Sequence, residues 1–185
     1  LLYSWNVGMG VNFAALYAYY LASPLNWLIM LCPKGYVIEF MTYMIVLKTG
    51  LAGLTFAWYL SKHCRTRDFG TAYFAIFYAL SGYMAAYSWN IMWLDCILLF
   101  PVIMLGLEQL VKEGKGLLYG ISLGVCILSN YYISIMICMF MVIYFFALWI
   151  LESGRSGRDF VVSGLKFAGY SVLAGGLSAA VLLPE

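Results

Sequence analysis

Ser88-Trp89-Asn90-Ile91-Met92-Trp93-Leu94-Asp95 places an amide, two indoles and a carboxylate between two long apolar runs, Phe69–Tyr87 and Cys96–Val111. An ionised group in hydrocarbon costs at least roughly 2–3 kcal/mol, so a carboxylate in such a setting needs a reason. The stretch reads as a turn at one face of a membrane protein, and its polar groups as members of a site at that face. Two other segments, Tyr3–Asn12 and Ser129–Tyr132, are built from similar residues and fall at turns on the same side. The three turns are expected to converge on one outward-facing cavity.

The composition agrees. Of 185 residues 65% are hydrophobic and 10% charged, with a mean hydropathy of +0.92, whereas soluble domains carry about 25% charged residues. The chain is an integral membrane protein with membrane lipids as its surroundings. A net charge of +2 is too small to imply nucleic acid. The opening residues read as the middle of a loop, and an apolar run has only just stopped at Leu183-Pro184-Glu185, so a fragment of a longer protein is expected. Cys32, Cys64, Cys96, Cys126 and Cys138 are scattered without a CxxC pair. That spacing fits neither a zinc site nor a disulfide framework, and leaves them as small hydrophobes.

Outward from the opening stretch, six runs are read as membrane helices: Glu39–Leu60, Phe69–Tyr87, Ile91–Val111, Leu117–Asn130, Tyr132–Leu151 and Phe160–Leu183. The fold class is an all-α polytopic membrane protein. Residues 1–38 form an extracytoplasmic loop with short interfacial helices, and residues 39–185 form a helical bundle. Phe13–Leu21 and Pro24–Leu31 are too short to span about 30 Å of hydrocarbon, and Ser23-Pro24 suits a helix start, with Ser as cap. The fourth run, at about 1.5 Å per residue, is also short, so either the Asn130 turn sits below the membrane surface or the bilayer thins there. Lys62, Arg65, Arg67, Lys112, Lys115, Arg155, Arg158 and Lys166 all fall on one side. By the positive-inside rule that side is cytoplasmic, which turns Leu1–Ile38, the Ser88–Trp93 turn, the Asn130 turn and Glu185 outward.

Lys48 sits inside the first run, about 13 Å below its outer end. It has three readings: a structural ion pair with Asp95, a cationic contact to a lipid-linked phosphate, or a side chain that snorkels outward. Asp95, about one turn into its helix, reads as a general base, a ligand to a divalent cation, or the partner of Lys48. Glu39 and Glu185 read as helix ends in water. Trp5, Trp89, Trp93, Tyr131 and Tyr132 offer apolar faces with polar tips that suit sugars or lipid head groups, and equally an interfacial aromatic belt. Asn6, Asn12, Asn90 and Asn130 recur at the outer turns, and a belt does not need amides. Gly50, Gly53, Gly175, Gly176, Ser178 and Ala179 read as close-packing faces. His63 reads as solvated in a basic loop. No Walker-type loop, HExxH or nucleophile elbow occurs.

Several stretches resemble the YfhO family of bacterial membrane proteins. They are Tyr3-Ser4-Trp5-Asn6-Val7-Gly8-Met9-Gly10-Val11-Asn12-Phe13, Ala18-Tyr19-Tyr20-Leu21-Ala22-Ser23-Pro24, Leu47-Lys48-Thr49-Gly50-Leu51-Ala52-Gly53, Leu80-Ser81-Gly82-Tyr83-Met84 through Asn90-Ile91-Met92-Trp93-Leu94-Asp95, and Leu128-Ser129-Asn130-Tyr131-Tyr132. The resemblance implies a C-type glycosyltransferase in the bacterial plasma membrane. Such an enzyme moves a sugar from a polyprenyl-phosphate carrier to a cell-envelope acceptor, such as a teichoic-acid-type polymer or lipid, at the outer face. It implies a catalytic acid upstream of Leu1, with Asp95 as a lesser candidate. It also implies a pocket drawn from Lys48, Asn90, Trp93, Asp95, Asn130, Tyr131 and Tyr132. A divalent cation or Lys48 would hold the leaving phosphate. The rival readings are a transporter or flippase of lipid-linked sugars, which predicts helices broken at mid-membrane, and a noncatalytic scaffold.

Overall fold

The computed structural model describes residues 3–4, 10–12, 16–151 and 157–179. Short strands β1 (Tyr3–Ser4) and β2 (Val11–Asn12) pair antiparallel, Tyr3 opposite Asn12. Three short non-α turns follow, at Tyr17–Leu21, Asn26–Leu31 and Lys34–Tyr36. Then come α1 (Val37–His63), α2 (Phe69–Ala79), α3 (Gly82–Tyr87), α4 (Ile91–Glu113), α5 (Leu117–Ser129), α6 (Tyr131–Leu151) and α7 (Gly157–Leu177). The protein is an all-α polytopic membrane protein. Lys34–His63, α4, α6 and α7 are long and apolar enough to cross a membrane, and α5 is a shorter apolar helix.

The second expected span is divided. The chain leaves the helix at Leu80, turns extended at Ser81 (ψ 156°) and restarts at Gly82. Apolar composition runs straight through this break, so hydropathy does not mark it. Ser23 also departs from its expected role. The turn after it begins at Asn26 with Leu25 at the cap position, and the buried Ser23 hydroxyl has no partner. A true side-chain cap occurs at α2, where Asp68 Oδ1 accepts from the Thr71 N–H at 3.2 Å.

Cross-helix contacts fix the directions. Lys48 meets Asp95 and Tyr59 meets Glu108, so α1 and α4 run parallel. Cys96 meets the Cys126 carbonyl and Gly106 meets Tyr119, so α5 runs back against α4. Phe100 packs on Phe140 and Glu108 receives Tyr144, so α6 is again parallel to α4. Ser178 donates to the Gly124 carbonyl and Lys166 to that of Gly114, so α7 runs alongside α5. Each helical passage thus reverses the last, as alternate crossings of a bilayer require.

α4 is the hub, buried on every side along most of its length. It carries Pro101 in its interior. Proline has no N–H, so the Ile97 carbonyl one turn earlier loses its helical partner. The Tyr78 hydroxyl of α2 donates to that carbonyl at 2.7 Å. Backbone approaches backbone closely at Gly106, where a Cβ would lie 2.5 Å from the Tyr119 backbone nitrogen. Gly116, at the cap of α5, and Gly120 and Gly124 within it leave room for the Tyr170 ring and Leu177 of α7. Gly53 packs closely on Ala79, but Gly50, Gly175 and Gly176 face open space. Close packing therefore rests on α4 and α5 rather than on the α7 glycines that the sequence suggested.

Candidate functional site

The first turn of α4 lies level with Lys48, because the Lys48 ammonium donates to the Ile91 carbonyl at 3.0 Å. The ten or so residues of α1 before Lys48 therefore stand roughly 16 Å beyond that level at the helical rise. α5 ends there too, its last residues meeting Cys96. The result is a recess over α4, α5 and α6, with one wall from α1. The Tyr17–Leu21 turn covers it, burying Ala18 and Ala22 against Leu128.

Inside the recess Lys48 is fully buried and Asp95 nearly so, with Nζ and Oδ2 2.7 Å apart. An ammonium has three N–H groups. Here they go to Asp95 Oδ2, to Asn26 Oδ1 at 2.7 Å and to the Ile91 carbonyl. Asn26 is held in turn by its own amide, which donates to the Tyr20 carbonyl at 3.3 Å. Of the readings open for Lys48, the ion pair describes its geometry, and the outward snorkel does not. Asp95 Oδ1 is buried without a partner.

An apolar cleft of about 250 Å³ opens beside this network. Phe40, Met41 and Met44 of α1 form one side and Tyr20, Leu21 and Ile29 the other, with Asn26 and Ile91 at its polar edge. A second cleft along Tyr17, Trp27 and Met30 shares Leu21, Asn26 and Ile29 with it. Two of the three acceptors of the Lys48 ammonium thus line the cleft.

The other expected residues divide in two. Asn130 is fully buried and committed at both ends, its oxygen accepting the Ile133 N–H at 3.0 Å and its nitrogen donating to the Tyr19 carbonyl at 3.3 Å. Tyr131 packs edge-on against Tyr19. These two join the turn after α5 to its cover. Asn90, Trp93 and Tyr132 fall together at the neighbouring turn: the Trp93 backbone N–H donates to the Asn90 backbone carbonyl at 2.9 Å, and the Trp93 ring lies against Tyr132 at 6.3 Å and Tyr87 at 6.1 Å. The Asn90 amide nitrogen and Trp93 Nε1 are buried with no partner. Each such group costs roughly 1–3 kcal/mol. The Asn90 and Asn130 turns therefore meet through Trp93 and Tyr132, whereas Trp5, Asn6 and Glu185 lie outside the described residues. Among the described residues no three His, Cys, Asp or Glu side chains come together to hold a metal ion. The Lys48-paired Asp95 does not suit a divalent cation.

The family model for the bacterial membrane protein YfhO matches residues 1–185, the whole chain. The chain belongs to the YfhO family. The match runs on past the recognisable motifs, which end at Tyr132, and takes in α6 and α7. No curated protein and no solved structure matches it.

This YfhO chain has a second polar cluster at the far end of the bundle, which motif reading missed. Glu108 of α4 is buried, and its Oε1 accepts from Tyr144 at 2.6 Å, Tyr59 at 3.1 Å and His63 Nδ1 at 2.7 Å. Lys112 reaches Oε2 at 3.2 Å. A carboxylate only accepts, so the His63 proton sits on Nδ1. His63 is thus not a solvated loop residue. It is the last residue of α1, with its ring 41% exposed, and it ties α1 to α4. The signal available in sequence was Glu108 itself, one of the few acids within an apolar run.

Proposed function

We propose that this YfhO family member is a C-type glycosyltransferase of the bacterial plasma membrane. It takes a sugar from a polyprenyl-phosphate carrier and gives it to a cell-envelope acceptor, such as a teichoic-acid-type polymer or lipid, at the outer face. The observation that supports this reading is the apolar cleft bounded by Asn26 and Ile91, both bound to the buried Lys48 ammonium. Its lining suits an isoprenoid chain, and the network at its edge suits an anionic head. The Lys48 N–H groups are all engaged, so a phosphate gains Lys48 by replacing Asn26.

In the transfer the acceptor hydroxyl attacks the anomeric carbon. The carbon–oxygen bond to phosphate breaks with its electron pair on the phosphate, and the acceptor proton passes to a base. Asp95 Oδ2 is committed to the Lys48 ammonium at 2.7 Å, so its role here is to hold Lys48. Basic residues gather at the far end, around His63 and Lys112, which supports an orientation with that end cytoplasmic and the recess outward.

Purified protein in proteoliposomes, given polyprenyl phosphate carrying a radiolabelled sugar and a teichoic-acid-type polymer, should move label to the polymer. Label that stays on the carrier under all donor and acceptor pairs would remove the reading. A transporter is the second reading, favoured by the break at Leu80-Ser81, since carriers use discontinuous helices. It predicts that carrier-linked sugar changes leaflet without changing its covalent partner.

A further inference from the structure

α4 shows two different faces in its first two turns. Ile91 and Asp95 share the face turned to Lys48. Trp93 lies about 200° around the helix from Asp95, at about 100° per residue. Its ring sits between Tyr87 and Tyr132, and Tyr83 extends the row against Tyr87 at 5.2 Å. Tyr83, Tyr87 and Tyr132 are all exposed.

Asn90 adds a second observation. It stands at the cap position of α4, yet its side chain makes no capping bond. Asn130, at the corresponding turn before α6, does cap, through the Ile133 N–H. Asn90 is 3% exposed, and its amide nitrogen has no acceptor. Trp93 Nε1, one helical turn on, is in the same state. Two N–H donors call for oxygen acceptors, and an indole with phenols alongside calls for the C–H face of a ring. A pyranose supplies both.

We infer that Asn90, Trp93 and Tyr132 form a sugar-reading subsite on the face of α4 away from the Lys48 cleft. It takes a pyranose with ring hydroxyls on the two N–H groups and its C–H face on Trp93 and Tyr132. This rests on the glycosyltransferase reading for its place in a reaction, but not for the binding itself. Whether the ring belongs to donor or acceptor is decided by which KM moves in Trp93→Phe.

The test uses the full chain in lipid nanodiscs. The Trp93 indole N–H resonance, assigned by its loss in Trp93→Phe, is followed as methyl glucoside, methyl galactoside, methyl N-acetylglucosaminide or inorganic phosphate is added. At least one glycoside should move it, phosphate should not, and Asn90→Leu should weaken the response roughly tenfold or more. Melting temperature is measured on the same variants. Donors kept for a ligand add nothing to the fold, so Asn90→Leu should melt at or above the wild-type temperature, whereas Trp93→Phe also trims an indole packed on the core and should melt somewhat lower. A resonance that ignores every glycoside, one that answers phosphate alone, or a clear fall in melting temperature in Asn90→Leu would overturn the subsite. A wild-type chain that responds to glycosides yet transfers no sugar keeps the subsite and removes the transferase reading. Transfer without any response at Trp93 does the reverse.

Discussion

Lys48 spends every N–H it has inside the protein, on Asp95, Asn26 and Ile91. Removing one member of a buried pair leaves a charge uncompensated, at a cost of about 3–5 kcal/mol, whereas removing both is often close to neutral. Lys48→Met is therefore expected to lower the melting temperature sharply in detergent, and Lys48→Met with Asp95→Asn to recover much of it. A single variant as stable as wild type would mean that the pair contributes nothing. Glu108→Ala should also lower stability, because it removes the shared acceptor of Tyr59, Tyr144 and His63 at once; equal stability in that variant would argue against the cluster. The Lys48–Asp95 pair was legible in sequence because both charges lie in apolar runs at the same depth. The Glu108 cluster was not, because its long-range donors are two phenols among sixteen tyrosines and a histidine next to a basic loop, none of which stands out as a charge in an apolar run. Only the packing of α1 and α6 onto α4 brings them together.

Helices show the same division. The starts and ends of α1, α4, α5 and α6 fall within a few residues of their apolar runs, since a bilayer-length apolar segment has few other ways to satisfy its backbone. The division of the second run depends on one extended residue, Ser81, and the packing glycines depend on which face meets a neighbour. Neither is written in hydropathy. Gly106→Ala should separate α4 from α5 and cost roughly 1–3 kcal/mol by overpacking. Gly175→Ala, in open space on α7, should be neutral or stabilise by up to roughly 1 kcal/mol through helix propensity. Thermal melts of the two variants decide this. Equal melts would mean that the α4–α5 crossing has room to spare.

Across the whole molecule, native thiols mark the two ends. Cys32 lies between the Asn26–Leu31 and Lys34–Tyr36 turns, and the exposed Cys64 follows His63. With the recess outward, a chain keeping only Cys32 should react with an impermeant maleimide in intact cells. A chain keeping only Cys64 should react after permeabilisation alone. The opposite pattern would invert the proposed orientation.

Tyr78 and Pro101 carry the sense of the chain into its manufacture. The hydroxyl that completes α4 belongs to α2, which leaves the ribosome first. The proline-bearing helix thus enters a bilayer where the partner for its open Ile97 carbonyl has already arrived, and lateral release and repair of that helix become one event. With Tyr78→Phe, α4 must leave the translocon carrying a bare carbonyl into lipid. Nascent chains of that variant, followed by pulse–chase, should stay protease-accessible beyond α4 for longer than wild type. Identical protection times would show that the carbonyl is satisfied some other way during biogenesis.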